Sequence, residues 1–156
     1  MKLFTYFTLI FVFLTSFTSP TFAQNKTMAG VWLTTIDTQI TIKKCKTGYC
    51  GYISKVTIRK ELYEENKQAI DAVGIQNAYD YFNKDPALRS RRLLGLQILN
   101  LPKKESENIY SGEVYNPEDG KTYKGKIEQI DNNTIRLSGC VFLGLICLSE
   151  DWKRLR

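Results

Sequence analysis

Histidine is absent from this chain of 156 residues, and that absence removes more chemistry than any residue present adds. A Ser-His-Asp or Cys-His nucleophile, a His-ligated zinc and a His-ligated haem each need an imidazole, so all are excluded. Carboxylates, Lys, Tyr and Cys remain for catalysis. Charge is missing from Leu3 to Phe17, and no charged block that would stop transfer through a membrane follows. That apolar run falls short of the roughly 20 residues that span a bilayer, so a permanent anchor is not expected. Cysteine is missing until Cys45, which argues against a lipid-anchored mature N-terminus.

What stands at the N-terminus reads as an export signal. Lys2 gives a short positive start, the apolar run follows, and Ser19-Pro20-Thr21-Phe22-Ala23 ends it with small residues at the positions a signal peptidase reads. The expectation is a cleaved signal peptide over 1–23 and a mature domain over 24–156, periplasmic or secreted, with no transmembrane anchor after processing. A domain of that size buries roughly two thirds of the surface its unfolded chain exposes, so one core is expected. The formal net charge is +6, and Lys2 is the only charge in the leader. Acids and bases are interspersed in the rest, so the excess steers anionic partners weakly and names no ligand. Export disfavours nucleic acid as a partner.

Four cysteines in an exported chain suggest two disulfides, drawn from three possible pairings. Local context favours Cys45–Cys50 and Cys140–Cys147. A two-residue Thr47-Gly48 turn would set Cys45 opposite Cys50, and a turn at Leu143-Gly144 would set Cys140 opposite Cys147. Each closes a short loop, so each pins a hairpin register more than it supplies global stability. Neither pair has the two-residue spacing of thioredoxin-like redox sites.

Between residues 29 and 154 the dominant pattern is period-two alternation of β-branched and aromatic residues, punctuated by Gly, Asn and Asp. It predicts consecutive hairpins with strands over 29–36, 39–45, 50–58, 93–100, 109–115, 122–130, 133–140 and 146–154. Turn chemistry lies at Asp37-Thr38, Thr47-Gly48, Pro102-Lys103-Lys104, Asn116 to Gly120 and Asp131-Asn132. The fold class expected is all-β: a single antiparallel up-and-down β-barrel of about eight strands, its interior wide enough for packed side chains or one small ligand. Residues 60–82 break the alternation. Leu62, Ala69, Ile70 and Val73 recur at near-helical spacing, so a short helical insert between strands 3 and 4 is expected, ending near Gly74, with a second turn from Gln76 to Phe82. That insert either completes the core or covers a ligand cavity as a lid.

Gly30-Val31-Trp32 resembles the Gly-x-Trp signature of calycins, the lipocalin-like barrels. The resemblance implies that Trp32 closes one barrel end and that a basic residue of the last strand, Lys153 or Arg154, stacks on it, a cation–π contact of about 1 kcal/mol. A longer match covers nearly the whole mature chain. Gly30-Val31-Trp32, Asp80 to Arg91, Leu94-Gly95-Leu96, Gly112 to Tyr123, and Cys140, Gly144, Cys147 and Trp152 resemble exported bacterial proteins of domain of unknown function family 2147. This resemblance implies export and a lipocalin-like barrel in which Trp32, Trp152 and Arg154 are structural. It implies no activity. The long helical stretch before Asp80 departs from the family's pattern, in which a shorter loop is expected.

The segment Asn83 to Arg92 is the strongest candidate for a role beyond packing. Asp85-Pro86 is a helix-start signal, and Arg89, Arg91 and Arg92 leave the turn that it begins. Those guanidinium groups either pair with Asp80, Asp85, Glu118 or Asp119 to fix the loop, or hold a carboxylate or phosphate head group at the barrel mouth. Tyr115 and Tyr123 flank a turn. The ligand-binding candidates are therefore Asn83, Asp85, Arg89, Arg91, Tyr115 and Tyr123. Glu118 and Asp119 are adjacent in a tight turn, too close for a paired-carboxylate glycosidase and too few for calcium. No catalytic residue, metal or cofactor is expected. The leading function is binding of a small apolar or amphipathic molecule; the alternative is an envelope protein-interaction module with a solid barrel. An enzyme using carboxylates at the mouth ranks third.

Overall fold

Alternation of period two makes each hydrophobic run bury one face and expose the other, and eight such runs in succession remove both outer edges by pairing first with last. The computed structural model, which describes residues 27–141 and 146–155, shows that closure. The strands are β1 (Gly30–Leu33), β2 (Gln39–Lys44), β3 (Tyr49–Lys55), β4 (Gln97–Lys104), β5 (Ile109–Asn116), β6 (Lys121–Gln129), β7 (Thr134–Val141) and β8 (Ile146–Arg154). All neighbours are antiparallel, and β1 meets β8 through Trp32 opposite Arg154 and Leu33 opposite Lys153. One helix, α1 (Lys60–Val73), lies between β3 and β4. The export signal over 1–23 and the Leu143-Gly144 turn lie outside the described residues.

Sequential antiparallel order gives the barrel two unlike ends. The floor carries the start of β1, the end of β8 and the β2–β3, β4–β5 and β6–β7 turns; the mouth carries the β1–β2 and β5–β6 turns, the end of β7, the start of β8 and the long β3–β4 connection. Met28, Trp32, Tyr49, Leu101, Ile127 and Ile135 are buried towards the floor. The Trp32 indole Nε1 donates to the Met28 carbonyl at 2.8 Å, which leaves its ring face free to stack. The Arg154 guanidinium lies 4.2 Å from the centre of that ring and donates to the carbonyls of Ala29 and Thr27. Lys153, the neighbour considered for the same contact, donates instead to Thr134 Oγ1, because alternation turns it to the other face of β8.

Several boundaries differ from the pattern-based expectation. β4 runs from Gln97 to Lys104 rather than over 93–100, since Leu93 to Leu96 form a turn with Gly95 at φ 84°. Pro102 therefore lies inside a strand instead of starting a turn. The β4–β5 register shifts between Asn100 and Lys103, and that irregularity accommodates a residue with no N–H to donate. β1 stops at Leu33, because the Thr34 N–H turns to the Thr38 carbonyl.

Both disulfides form as paired in the sequence, but one sits differently. Cys140 is directly opposite Cys147. In the β2–β3 hairpin Lys43 faces Cys50, and the Cys45 N–H donates to the Gly48 carbonyl, so the turn passes through Lys46-Thr47 and the bridge runs diagonally. Gly48 makes this register possible. It takes φ 64°, and a Cβ there would overlap the Leu101 carbonyl.

α1 ends at Gly74, whose N–H donates to the Ile70 carbonyl. A single 3-10 turn follows over Ile75–Asn77 and the helical insert stops there, short of Phe82. Ala78 to Asp80 run instead as extended chain against Arg91 to Leu93, held by the Asp80 N–H to the Arg91 carbonyl and the Leu93 N–H to the Ala78 carbonyl.

Candidate functional site

The mouth opens into a cavity of about 940 Å³. Its walls are the inward residues of the upper barrel, including Ile40, Ile53, Ile98, Val114, Leu137 and Trp152. Over them stands α1, which contributes Leu62, Asn66, Ala69, Ile70 and Val73 to the same lining. Those positions follow one helical face at spacings of three and four. None of the residues of α1 is buried, so this face borders open space rather than filling a core. Within the helix Asn66 departs from helical geometry (φ −120°, ψ 17°), a kink midway along α1. Tyr79, Tyr81 and Phe82 continue the apolar rim from the segment after α1.

Two ties fasten that rim to the barrel. Arg59, just before α1, pairs with Glu118 in the β5–β6 turn, donating from Nε at 3.1 Å and from a terminal nitrogen. The second tie centres on Asp80, whose side chain is fully buried. Asp80 accepts from Tyr115 OH at 2.6 Å, from Asn83 Nδ2 at 2.8 Å and from Arg91 Nε at 2.7 Å. Asn83 Nδ2 also lies 2.8 Å from the Tyr115 hydroxyl, and the Arg91 guanidinium lies over the Tyr115 ring. Burial pushes the Tyr115 phenol above its ordinary value, and the hydrogen bond to Asp80 adds to the rise. Burial alone would lower the Arg91 guanidinium, but Asp80 and Tyr115 outweigh it and hold that group above its usual range. A buried carboxylate with three donors is a satisfied anchor. The β5–β6 turn fits beneath this loop because Gly120 has φ 66°, and a Cβ there would overlap the Phe82 carbonyl.

The sequence candidates thus divide by place. Tyr115 and Tyr123 reach the cavity wall, whereas Asn83, Asp85, Arg89 and Arg91 are not among its lining residues. Asp85 caps the 3-10 turn over Pro86–Leu88 by accepting from the Ala87 N–H at 2.9 Å. Arg89 Nε donates to the Asn83 carbonyl, and Arg92 to Asn77 Oδ1. Arg91 and Tyr115 also border a smaller hollow of about 280 Å³ with Gln97, Asn100, Glu113 and Thr122. Tyr123 donates to Asp119, which raises its own phenol pKa. Among the described residues no group of three or more Cys, Asp or Glu is placed to hold a metal ion, and no helix is long and apolar enough to cross a membrane.

One residue of the cavity escaped the sequence reading. Glu150 lines the wall, with Oε1 accepting from the Trp152 indole and Oε2 from Thr35 Oγ1 at 2.8 Å. The signal was present: Leu148, Glu150, Trp152 and Arg154 alternate along β8, so an acid shares the face of the inward Trp.

With this geometry in view, comparison with known proteins places the chain. The fold matches a solved structure from the human pathogen Helicobacter pylori, a protein described as belonging to the lipocalin family, with a TM-score of 0.65 and 22% identity over 83% of this chain and 84% of that one. At that identity the match concerns the fold alone. No functionally curated protein matches the chain. A family model described as "Uncharacterized protein conserved in bacteria (DUF2147)" matches residues 30–154, the whole barrel from Gly30 to Arg154. The chain belongs to that family, and its member here is a closed eight-stranded, lipocalin-like barrel with a helix over the mouth.

Proposed function

We propose that this protein is an exported binding barrel that takes one small apolar or amphipathic molecule into the mouth cavity beneath α1. The observation that carries this reading is the cavity itself. Its volume of about 940 Å³ lies within the range of pockets that enclose small molecules, and its wall is predominantly aliphatic and aromatic. An empty core position would cost stability with no return, whereas an apolar helix face held over open space by polar ties suits an occupant that comes and goes. Export by cleavage after Ala23 into the periplasm or medium belongs to the same proposal. The two bridged cysteine pairs suit an oxidising compartment. The cavity weighs against a solid barrel that serves a partner through its outer surface alone.

A naphthyl fluorophore that brightens in apolar surroundings tests the site. Saturable enhancement at one probe per chain is expected, with loss of the enhancement in a Leu137→Trp variant that fills the wall. Enhancement that never saturates, or that Leu137→Trp leaves intact, would count against the cavity as the binding place.

A further inference from the structure

The charges around the cavity are unevenly matched. Arg59, Glu118, Asp119 and Glu150 are its charged lining residues, three acids to one base in a chain whose formal charge is +6. The single base is committed, since Arg59 forms its ion pair with Glu118. Asp119 is held within its own turn by neutral donors, accepting from Tyr123 and from the Lys121 N–H, and among the described residues no cation lies in ion-pair contact with it. Glu150 differs in place, on the strand wall of β8 rather than in a turn. Both of its oxygens are held by neutral donors, the Trp152 indole and the Thr35 hydroxyl, and among the described residues no cation lies in ion-pair contact with it. The indole and hydroxyl fix where the carboxylate sits without neutralising it, on a wall that combines apolar side chains such as Ile40, Val114 and Leu137 with uncharged polar ones such as Thr38 and Ser149.

From this placement we infer that the ligand is a cationic amphiphile, an apolar chain or ring bearing an ammonium group that Glu150 receives. The inference rests on the binding reading above and specifies its chemistry. An anionic amphiphile such as a fatty acid would bring a second negative charge beside Glu150 with no free guanidinium to meet it, and like charges in a partly desolvated site repel. An ammonium would complete an acid that the strand wall leaves without a cation, while its tail takes the aliphatic lining. A charge-assisted hydrogen bond from such a head group is stronger than one from a neutral hydroxyl.

Three probes that share one alkyl tail separate the possibilities: decylamine, decanol and decanoate, titrated calorimetrically at neutral pH into the protein as the cell produces it. The expected order is amine tightest, by roughly tenfold over the alcohol, with the carboxylate weakest. Glu150→Gln should bring the amine down to the alcohol and leave the alcohol unchanged. Added salt should weaken the amine and spare the alcohol in the unaltered protein, a readout that needs no variant. Equal binding of amine and alcohol, or tightest binding of decanoate, would overturn the inference while leaving the apolar site standing. Failure of all three probes to bind would overturn the binding reading, and this inference with it.

Discussion

Asp80 holds three side chains at once, and each of them belongs to a different stretch of the loop or wall. Arg91 comes from the return limb of the β3–β4 connection, Asn83 from its bend and Tyr115 from β5. Asp80→Ala would leave a guanidinium, an amide and a phenol facing a vacated buried position. A loss of about 2–3 kcal/mol in urea unfolding is expected, because the removed bonds are charge-assisted. Unchanged stability would show that the loop is held elsewhere. Tyr115 gives the same anchor a pH signature. Its phenol pKa is raised in the folded protein, so the neutral form is favoured by folding and its contribution is complete below the unfolded value of about 10. As pH rises through the folded value, that contribution is lost. Urea midpoints should therefore fall on the alkaline side, and Tyr115→Phe should flatten the decline; a parallel decline in both proteins would contradict the assignment. At this scale the sequence is legible where a local rule applies. Asp85-Pro86 announces a capped turn and delivers one, and the stacking of Arg154 on Trp32 is the contact that the calycin resemblance implies. Which of several arginines meets which acid is settled by the path of the loop, and alternation or turn chemistry carries no information about that.

On the proposed binding function, α1 is the element that decides access to the cavity. α1 presents Leu62, Ala69, Ile70 and Val73 to the cavity, and it does so without burying any of them. Replacing Leu62 and Ile70 together by Glu should abolish binding of the naphthyl fluorophore while changing stability by about 0.5 kcal/mol or less, since surface substitutions away from packed features have small effects. A large loss of stability would mean that the helix is a plug belonging to the core. Helical spacing found the helix and Gly74 found its end, because both signals are local. The spacing could not tell a lid from a plug, since an apolar stripe looks the same whether it meets side chains or space. The bounds of β4 depart from the alternation pattern for a related reason. Leu93 to Leu96 look like strand by composition, yet hydrogen bonds to Ile53 and within the segment make them a turn, and Pro102 looks like a turn but is tolerated at a register shift. The diagonal Cys45–Cys50 bridge likewise depends on a one-residue choice of hairpin register that two adjacent turn-forming residues leave open.

At the scale of the whole molecule the barrel divides its labour by end. The floor is sealed by Trp32, Arg154 and the buried residues around them, and the mouth keeps a hollow roofed by a helix that the packing does not require. Eight alternating runs joined by short turns are enough to foresee a closed all-β barrel, because sequential hairpins leave few other ways to satisfy both outer strands. Whether the interior is filled depends on side chains contributed by strands far apart in the chain, which is why the cavity and its inward carboxylate come into view only when the strands are assembled. Native mass spectrometry of the protein purified from its own producing cells tests the central claim most directly. The account predicts a monomer carrying one additional small molecule, released on gentle activation and retaining a basic nitrogen. A monomer of bare polypeptide mass that also refuses the alkyl and naphthyl probes would contradict it.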